Sequence, residues 1–189
     1  MSRNKKEKPV LPLTPEQVIR RRIRGLSDRE EINSFIMKLV CMLCLLGVLF
    51  GVVFGITPMQ NSDMSPRISA RDLMLYYRLE QKLHSQDVVV FEKEGKQYTG
   101  RVVAAGGDSV EITKDSRLKI NGSPVVETDI YYSTTRYGDE VAYPITLLNG
   151  QYFILCDYRE GAKDSRYFGA VEQAEIKGKV ITVIRRSGL

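Results

Sequence analysis

From Leu39 to Ile56 the chain runs LVCMLCLLGVLFGVVFGI, 18 residues without a charge. Phe35-Ile36-Met37 extends the run if the Lys38 ammonium snorkels towards the interface. That length matches the hydrocarbon core of a bilayer, and a run with no polar face has nothing to present to water. A buried core helix is the less favoured reading. The 38 residues before the run and the lack of an Ala-x-Ala-like cleavage site favour an uncleaved anchor over a removed leader.

The anchor organises the rest of the chain. Residues 1–38 carry ten basic side chains against five acidic ones, which accounts for the whole net charge of +5. Residues 57–189 are therefore neutral overall and lack the basic face that nucleic-acid binding uses. Six basic residues fall in 19–38 and two in 57–76, so the expected orientation is N-terminus cytoplasmic with residues 57–189 outside. The expected organisation is a basic cytoplasmic tail over 1–34, a transmembrane helix over 35–56 and an extracellular domain over 57–189, single-pass in the plasma membrane. Thr14-Pro15-Glu16 has the cap, first-turn proline and early acid of a helix start. Ser27-x-x-Glu30 reads as a second capping box, with Gly25 separating the two helices.

Cys41 and Cys44 form a Cys-x-x-Cys pair, but inside an apolar run they read as small polarizable packing residues. Cys156 has no cysteine partner in the outer domain and is either a buried free thiol or, if exposed, a site of intermolecular oxidation. With His84 as the only histidine, a histidine-based metal site is not expected, and nothing calls for a cofactor.

After Pro58 short β-type runs replace the helical period: Leu73–Tyr77, Asp87–Glu92, Tyr98–Ala105, Val110–Thr113, Arg117–Ile120, Tyr152–Cys156 and Lys177–Ile184. Turn chemistry separates them at Glu94-Gly95, Gly106-Gly107-Asp108, Asn121-Gly122, Asn149-Gly150 and Glu160-Gly161. The fold class is mainly β, with a single N-terminal transmembrane helix. Residues 123–150, with Tyr131, Tyr132, Tyr137 and Tyr143, read as a long loop packed by its own aromatics, ahead of an interface.

Four segments of this domain carry a resemblance. Asp63-Met64-Ser65-Pro66 with Ile68 and Asp72, Gln86 to Phe91, Gly100 to Asp108, and Asp157-Tyr158-Arg159 followed by Asp164 to Gly169 resemble, in order, the boxes of type I signal peptidases. These are membrane-anchored serine/lysine proteases of the S26 family that remove signal peptides outside the plasma membrane. The resemblance implies a signal-peptidase-like β domain. It also implies that the nucleophilic serine of the first box, the lysine base opening the third and the serine that orients it in the last fall on Asp63, Gly100 and Ala162. A carboxylate is a poor nucleophile towards an amide and glycine can move no side-chain proton, so the implied site has no catalytic residues. Ser62 and Ser65 would face away from Asp63 in an extended segment. Lys96 lies about 13 Å along an extended strand from Gly100. His84 reads as a solvated loop residue.

Asp63 is read as a remnant ahead of an acquired acceptor for a partner group, and an aspartic-protease role would need a second carboxylate sharing its proton. Asp157, Asp164 and Arg166 read as a structural ion-pair network. Family substrates pair with strand edges beside the serine, so the candidate binding cleft comprises Asn61, Ser62, Asp63, Met64, Ser65 and Pro66, then Val88, Val89 and Val90, with Gly100. The Asp and Gly replacements resemble those of the SipA-type inactive homologues encoded with pilins and class C sortases in Gram-positive cocci. That resemblance implies a non-catalytic pilus-assembly factor or chaperone for pilin, sortase or both. The alternatives are an active divergent signal peptidase and a regulator that competes with a true signal peptidase for substrate.

Overall fold

The computed structural model describes residues 14–138 and 140–185, and its contacts divide the chain into two compact units, Met1–Gly47 and Val48–Leu189. In the first, helix α1 spans Pro15–Val48. It starts where the cap and first-turn proline predict, with the Gln17 side chain accepting from the Thr14 N–H at 3.2 Å. It then runs through Gly25 without a break, so the expected second start at Ser27 is absent. Propagating a helix needs no new nucleus, and one internal glycine costs only about 1 kcal/mol.

Asp28–Val53 is long and apolar enough to cross a membrane, with mean hydropathy 2.6 and none of its most apolar window buried. At 1.5 Å per residue its 26 residues reach about 39 Å, more than a bilayer core of about 30 Å. The helix is thus compatible with a single-pass anchor. The apolar run does not stay helical to Ile56. A π-turn, Leu49–Val53, closes it and strand β1, Phe54–Pro58, begins at once. Phe54, Gly55 and Ile56, expected to end the span, instead pair with Tyr77, Tyr76 and Leu75 of β2, Leu73–Tyr77.

The second unit is built from β1 and β2, then β3 (Val88–Lys93), β4 (Lys96–Ala105), β5 (Ser109–Ile112), β6 (Leu118–Ile120), β7 (Ser123–Pro124), β8 (Ile145–Thr146), β9 (Gln151–Leu155), the one-turn helix α2 (Ser165–Phe168), β10 (Val171–Glu172) and β11 (Ile176–Ile184). One sheet has the order β1-β2-β11-β3-β4-β9-β10 and a smaller one β7-β6-β5-β8. The seven expected strands appear, Leu73–Tyr77 with the same ends and the other six with an end shifted by one or two residues, and the architecture is mainly β.

Three apolar clusters fill the unit. Met59, Met64, Ile68, Met74, Tyr76, Val90, Cys156 and Ala162 pack beneath the first box. Val103, Val110, Ile112, Leu147 and Phe153 join the two sheets, and Val89, Phe91, Val102 and Ile154 form the third cluster. The long loop is held largely by its aromatics. Tyr132 meets Tyr158 edge-on at 4.9 Å, the Tyr137 hydroxyl donates to Arg159 O at 2.9 Å, and Tyr143 stands edge-on to Phe153 at 6.4 Å. The Tyr143 hydroxyl is buried without a partner, and burial pushes its pKa up to about 12. Tyr131, by contrast, is exposed.

Candidate functional site

The first box is an excursion from the β1–β2 hairpin. Met59 N–H donates to Asp72 O and Arg71 N–H to Met59 O, each at 2.8 Å, which closes the base of the loop. Inside it the chain turns: Ser65 N–H reaches Ser62 O at 2.9 Å and Ile68 N–H reaches Met64 O at 3.0 Å. The strand-parity argument against Ser62 and Ser65 therefore does not apply, because this segment is not extended. Among the described residues, neither hydroxyl has a hydrogen-bond partner.

Asp63 is half-buried at the tip of the turn. Asn61 Nδ2 donates to its Oδ2 at 2.6 Å and its own N–H donates to Asn61 Oδ1 at 3.2 Å, an exchange within the loop. Its carbonyl accepts from Tyr158 N–H at 2.8 Å, so the first and last boxes meet. Burial raises the Asp63 pKa, the Asn61 hydrogen bond opposes the shift, and the Asp164 charge adds to it. Asp164 cannot share a proton with it in an aspartic dyad. Its Oδ1 accepts from Arg166 N–H and Nε at 3.0 and 2.9 Å, and its Oδ2 accepts from Cys156 N–H and Arg166 Nη2 at 3.0 and 2.8 Å.

Gly100 lies buried in β4 opposite Val89 of β3. A Cβ at this position would stand 2.6 Å from Ile154 Cγ2 and 3.2 Å from Leu155 O. Ile154 is wholly buried, so no side chain enters here unless it moves. Cys156, directly before Asp157, puts a thiol beside it, buried and pointing its proton at Thr99 O, 3.5 Å away. Burial drives that thiol well above its ordinary pKa, with Asp164 and Asp63 adding to the shift, so it stays protonated and inert at neutral pH. Ala162 packs in the same cluster as Met64 and Cys156. Apolar groups and a neutral thiol thus occupy the interior between Asp63 and β4.

The second box does not supply a binding edge. β3 is paired on one side with β4 and on the other with β11, and Val89 and Val90 are fully buried in the core. A strand hydrogen-bonded on both sides has no free N–H or C=O row for a peptide. Val88 borders only a surface hollow of about 340 Å³ with Ile68, Gln86, Asp87 and the Val180–Val183 stretch. The edge that does face the first box is on β4, because β9 pairs with β4 only from Arg101 onward. Across that edge the slot between Pro58–Asn61 and Gln97–Thr99 holds about 10 Å³, less than a single residue needs. Gln97 Nε2 bridges it to Thr57 Oγ1 at 2.8 Å.

The last box is an ionic frame. Arg166, fully buried, pairs with Asp164, donates Nη1 to Arg159 O at 2.7 Å and lies 4.2 Å from the Tyr137 ring centroid. Asp157 pairs with Arg101 and not, as expected, with Arg166: Arg101 Nε and Nη2 grip its two oxygens at 2.8 and 2.6 Å. That hydrogen bonding raises the Arg101 pKa against the burial that lowers it. Arg159 joins the frame by donating to Cys156 O at 2.7 Å, Thr134 Oγ1 at 2.6 Å and Glu127 Oε1 at 2.5 Å. His84 is an exposed loop residue whose Nδ1 stands 3.9 Å from Asp87, and Lys96 sits exposed at the β3–β4 turn.

The family model described as Signal peptidase, peptidase S26 matches residues 32–184. The chain belongs to this family. A signal peptidase IB of Staphylococcus aureus (strain COL) is 25% identical over 170 residues, covering 80% of this chain and 88% of that protein. An inactive signal peptidase IA of Staphylococcus aureus (strain Mu50 / ATCC 700699) is 24% identical over 161 residues, covering 80% of this chain and 90% of that one. The crystal structure of a signal peptidase I from Enterococcus faecalis V583 superposes with a TM-score of 0.46 at 29% identity, over 54% of this chain and 98% of that one. Within this signal peptidase family member, the ionic frame and the first-box loop adjoin one another. The slot beside them is shut.

Proposed function

We propose that this signal peptidase homologue is a non-catalytic, membrane-anchored assembly factor that acts on pilin subunits, on a class C sortase or on both at the outer face of the plasma membrane. The observation that carries the non-catalytic part is the packing at Gly100. A Cβ there collides with Ile154 at 2.6 Å, so the position has neither a base nor room for one. Asp63 is tied to Asn61, and the neighbouring serine hydroxyls have no base to take their protons. That a relative of similar length is named an inactive signal peptidase supports the reading. The pilin and sortase partners rest on the Asp63 and Gly100 replacements and on the family they resemble.

In this reading a partner docks on the surface of the β unit, since the slot between Pro58–Asn61 and Gln97–Thr99 holds only about 10 Å³ and is bridged by the Gln97–Thr57 hydrogen bond. The test is deletion of the gene in its host, with covalent pilin polymers resolved by electrophoresis. Loss of the polymers, restored by both the wild-type chain and Asp63→Ala, is expected. Unchanged polymers would end the assembly reading, and restoration by the wild type alone would point to chemistry at Asp63.

A further inference from the structure

Strands β1, β2 and β11 form a wing whose two faces differ. On one face Met74, Tyr76, Val180 and Val183 join the core beneath the first box. On the other, register places Pro58, Leu73 and Ile184 in one row across the three strands. Leu73 and Ile184 are 41% and 60% exposed, and Ile56, one pleat further along β1, is 57% exposed. At the end of this row lies a hollow of about 820 Å³ lined by Pro58, Met59, Gln60, Arg71, Leu73, Ile184 and Arg185. Its floor is apolar, it has two guanidinium groups, and no acidic side chain lines it among the described residues.

Neither Arg71 nor Arg185 has a hydrogen-bond or ion-pair partner for its guanidinium among the described residues. Arg71 also has φ 75°, a left-handed conformation that a residue with a Cβ seldom adopts. The buried arginines of this unit, Arg101, Arg159 and Arg166, by contrast each grip a carboxylate. Two unpaired guanidiniums above an apolar floor are complementary to an anion that carries a hydrocarbon body.

We infer that this hollow is a binding site for an anionic phospholipid, with the headgroup phosphate on Arg71 and Arg185 and the glycerol and upper acyl chain against Leu73 and Ile184. Chain continuity selects a lipid from among anionic amphiphiles. β1 starts at Phe54, directly after the apolar segment that ends at Val53. Five extended residues cover at most about 17 Å, so the chain itself tethers Pro58 within that distance of the end of the segment. Guanidinium groups near an anionic surface gain from its potential as well as from direct contact.

The chain has no tryptophan, so one can be placed as a unique reporter. The full-length Leu73→Trp protein is put into nanodiscs containing acyl-brominated phosphatidylglycerol or, at the same fraction, acyl-brominated phosphatidylcholine, and quenching of Trp fluorescence is read. Ile184→Trp serves if the first variant fails to fold. The expected result is stronger quenching by phosphatidylglycerol, with apparent affinity falling about fivefold for each of Arg71→Gln and Arg185→Gln. Equal quenching by both lipids, unaltered by the arginine substitutions, would overturn headgroup recognition, and no quenching would overturn the site. Loss of the phosphatidylglycerol preference on adding inorganic phosphate would reassign the hollow to the free ion. Displacement of the lipid by a soluble peptide of alternating valine and glutamate, with the arginines required for both, would reassign it to an acidic strand.

Discussion

The last box and the third box belong to the same β unit, yet they hold opposite kinds of interior. In the last box, Arg166 and Asp164 are both fully buried and every hydrogen-bonding position of the carboxylate is filled. At Gly100 of the third box there is no polar side chain, and the neighbouring space belongs to Ile154 and the Cys156 thiol. An ionic frame of this kind cannot lose one member cheaply, because the remaining charge is stranded in a low dielectric. A catalytic position can lose its side chain cheaply, since apolar packing replaces a desolvated lysine without leaving a charge unpaired. On the proposed reading, the difference explains how a chain keeps the family scaffold while Asp63 and Gly100, the positions the resemblance assigns to the dyad, close over.

The largest effect that would break this comparison lies in the frame. Arg166→Leu leaves Asp164 buried and unpaired and is expected to destabilise the domain by about 3–5 kcal/mol, measured by urea unfolding. A loss under 1 kcal/mol would mean that the frame is dispensable. Next comes the closed position: Gly100→Lys with Asp63→Ser restores the family residue types but overpacks Ile154, costing about 1–3 kcal/mol and producing no cleavage of a signal-peptide precursor. Adding Ile154→Ala should recover part of the stability, and its failure to do so would show that Ile154 is not the obstacle.

A smaller effect belongs to the latch across the slot. Gln97→Ala removes the bond to Thr57 Oγ1 and is expected to cost about 1 kcal/mol and to speed amide exchange over residues 96–100, read by mass spectrometry. The smallest concerns Asp63. Its folded-state pKa is raised, mainly by burial, so the folded protein holds the proton more tightly than the unfolded chain. Stability therefore falls as pH rises from the ordinary carboxylate value through the raised one, and the loss persists above it. Asp63→Asn should raise Tm at pH 7 by about 1–2 °C, with the gain vanishing near pH 3.

Much of this domain was legible in its sequence because alternation of Val, Ile, Tyr and Phe between glycine-bearing turns follows directly from strand geometry. Leu73–Tyr77 is the clearest case, with Met74 and Tyr76 turned inward and Leu73 outward. Phe54–Ile56 was not legible as a strand, since hydrophobicity alone does not separate the end of an apolar helix from a strand, and the partners lie about 20 residues on at Leu75–Tyr77. The boxes suggest Asp63 and Gly100 as the dyad positions, but the surroundings of those two residues are not readable from the boxes. The obstruction at Gly100 comes from Ile154, and the partner of Asp157 is Arg101, 56 residues earlier. Such contacts depend on tertiary packing. For the same reason Val88–Val90 looked like an available edge, although β11, arriving last in the chain, pairs with the second side of their strand.

The most direct test of the central claim is cleavage of a signal-peptide-bearing pilin precursor by the full-length, detergent-solubilised protein, beside Asp63→Ala and an authentic signal peptidase. The account predicts no turnover from the wild type or the variant while the authentic enzyme processes the precursor. Turnover by the wild type that disappears in Asp63→Ala would contradict it, and would place chemistry on the carboxylate that the structure ties to Asn61.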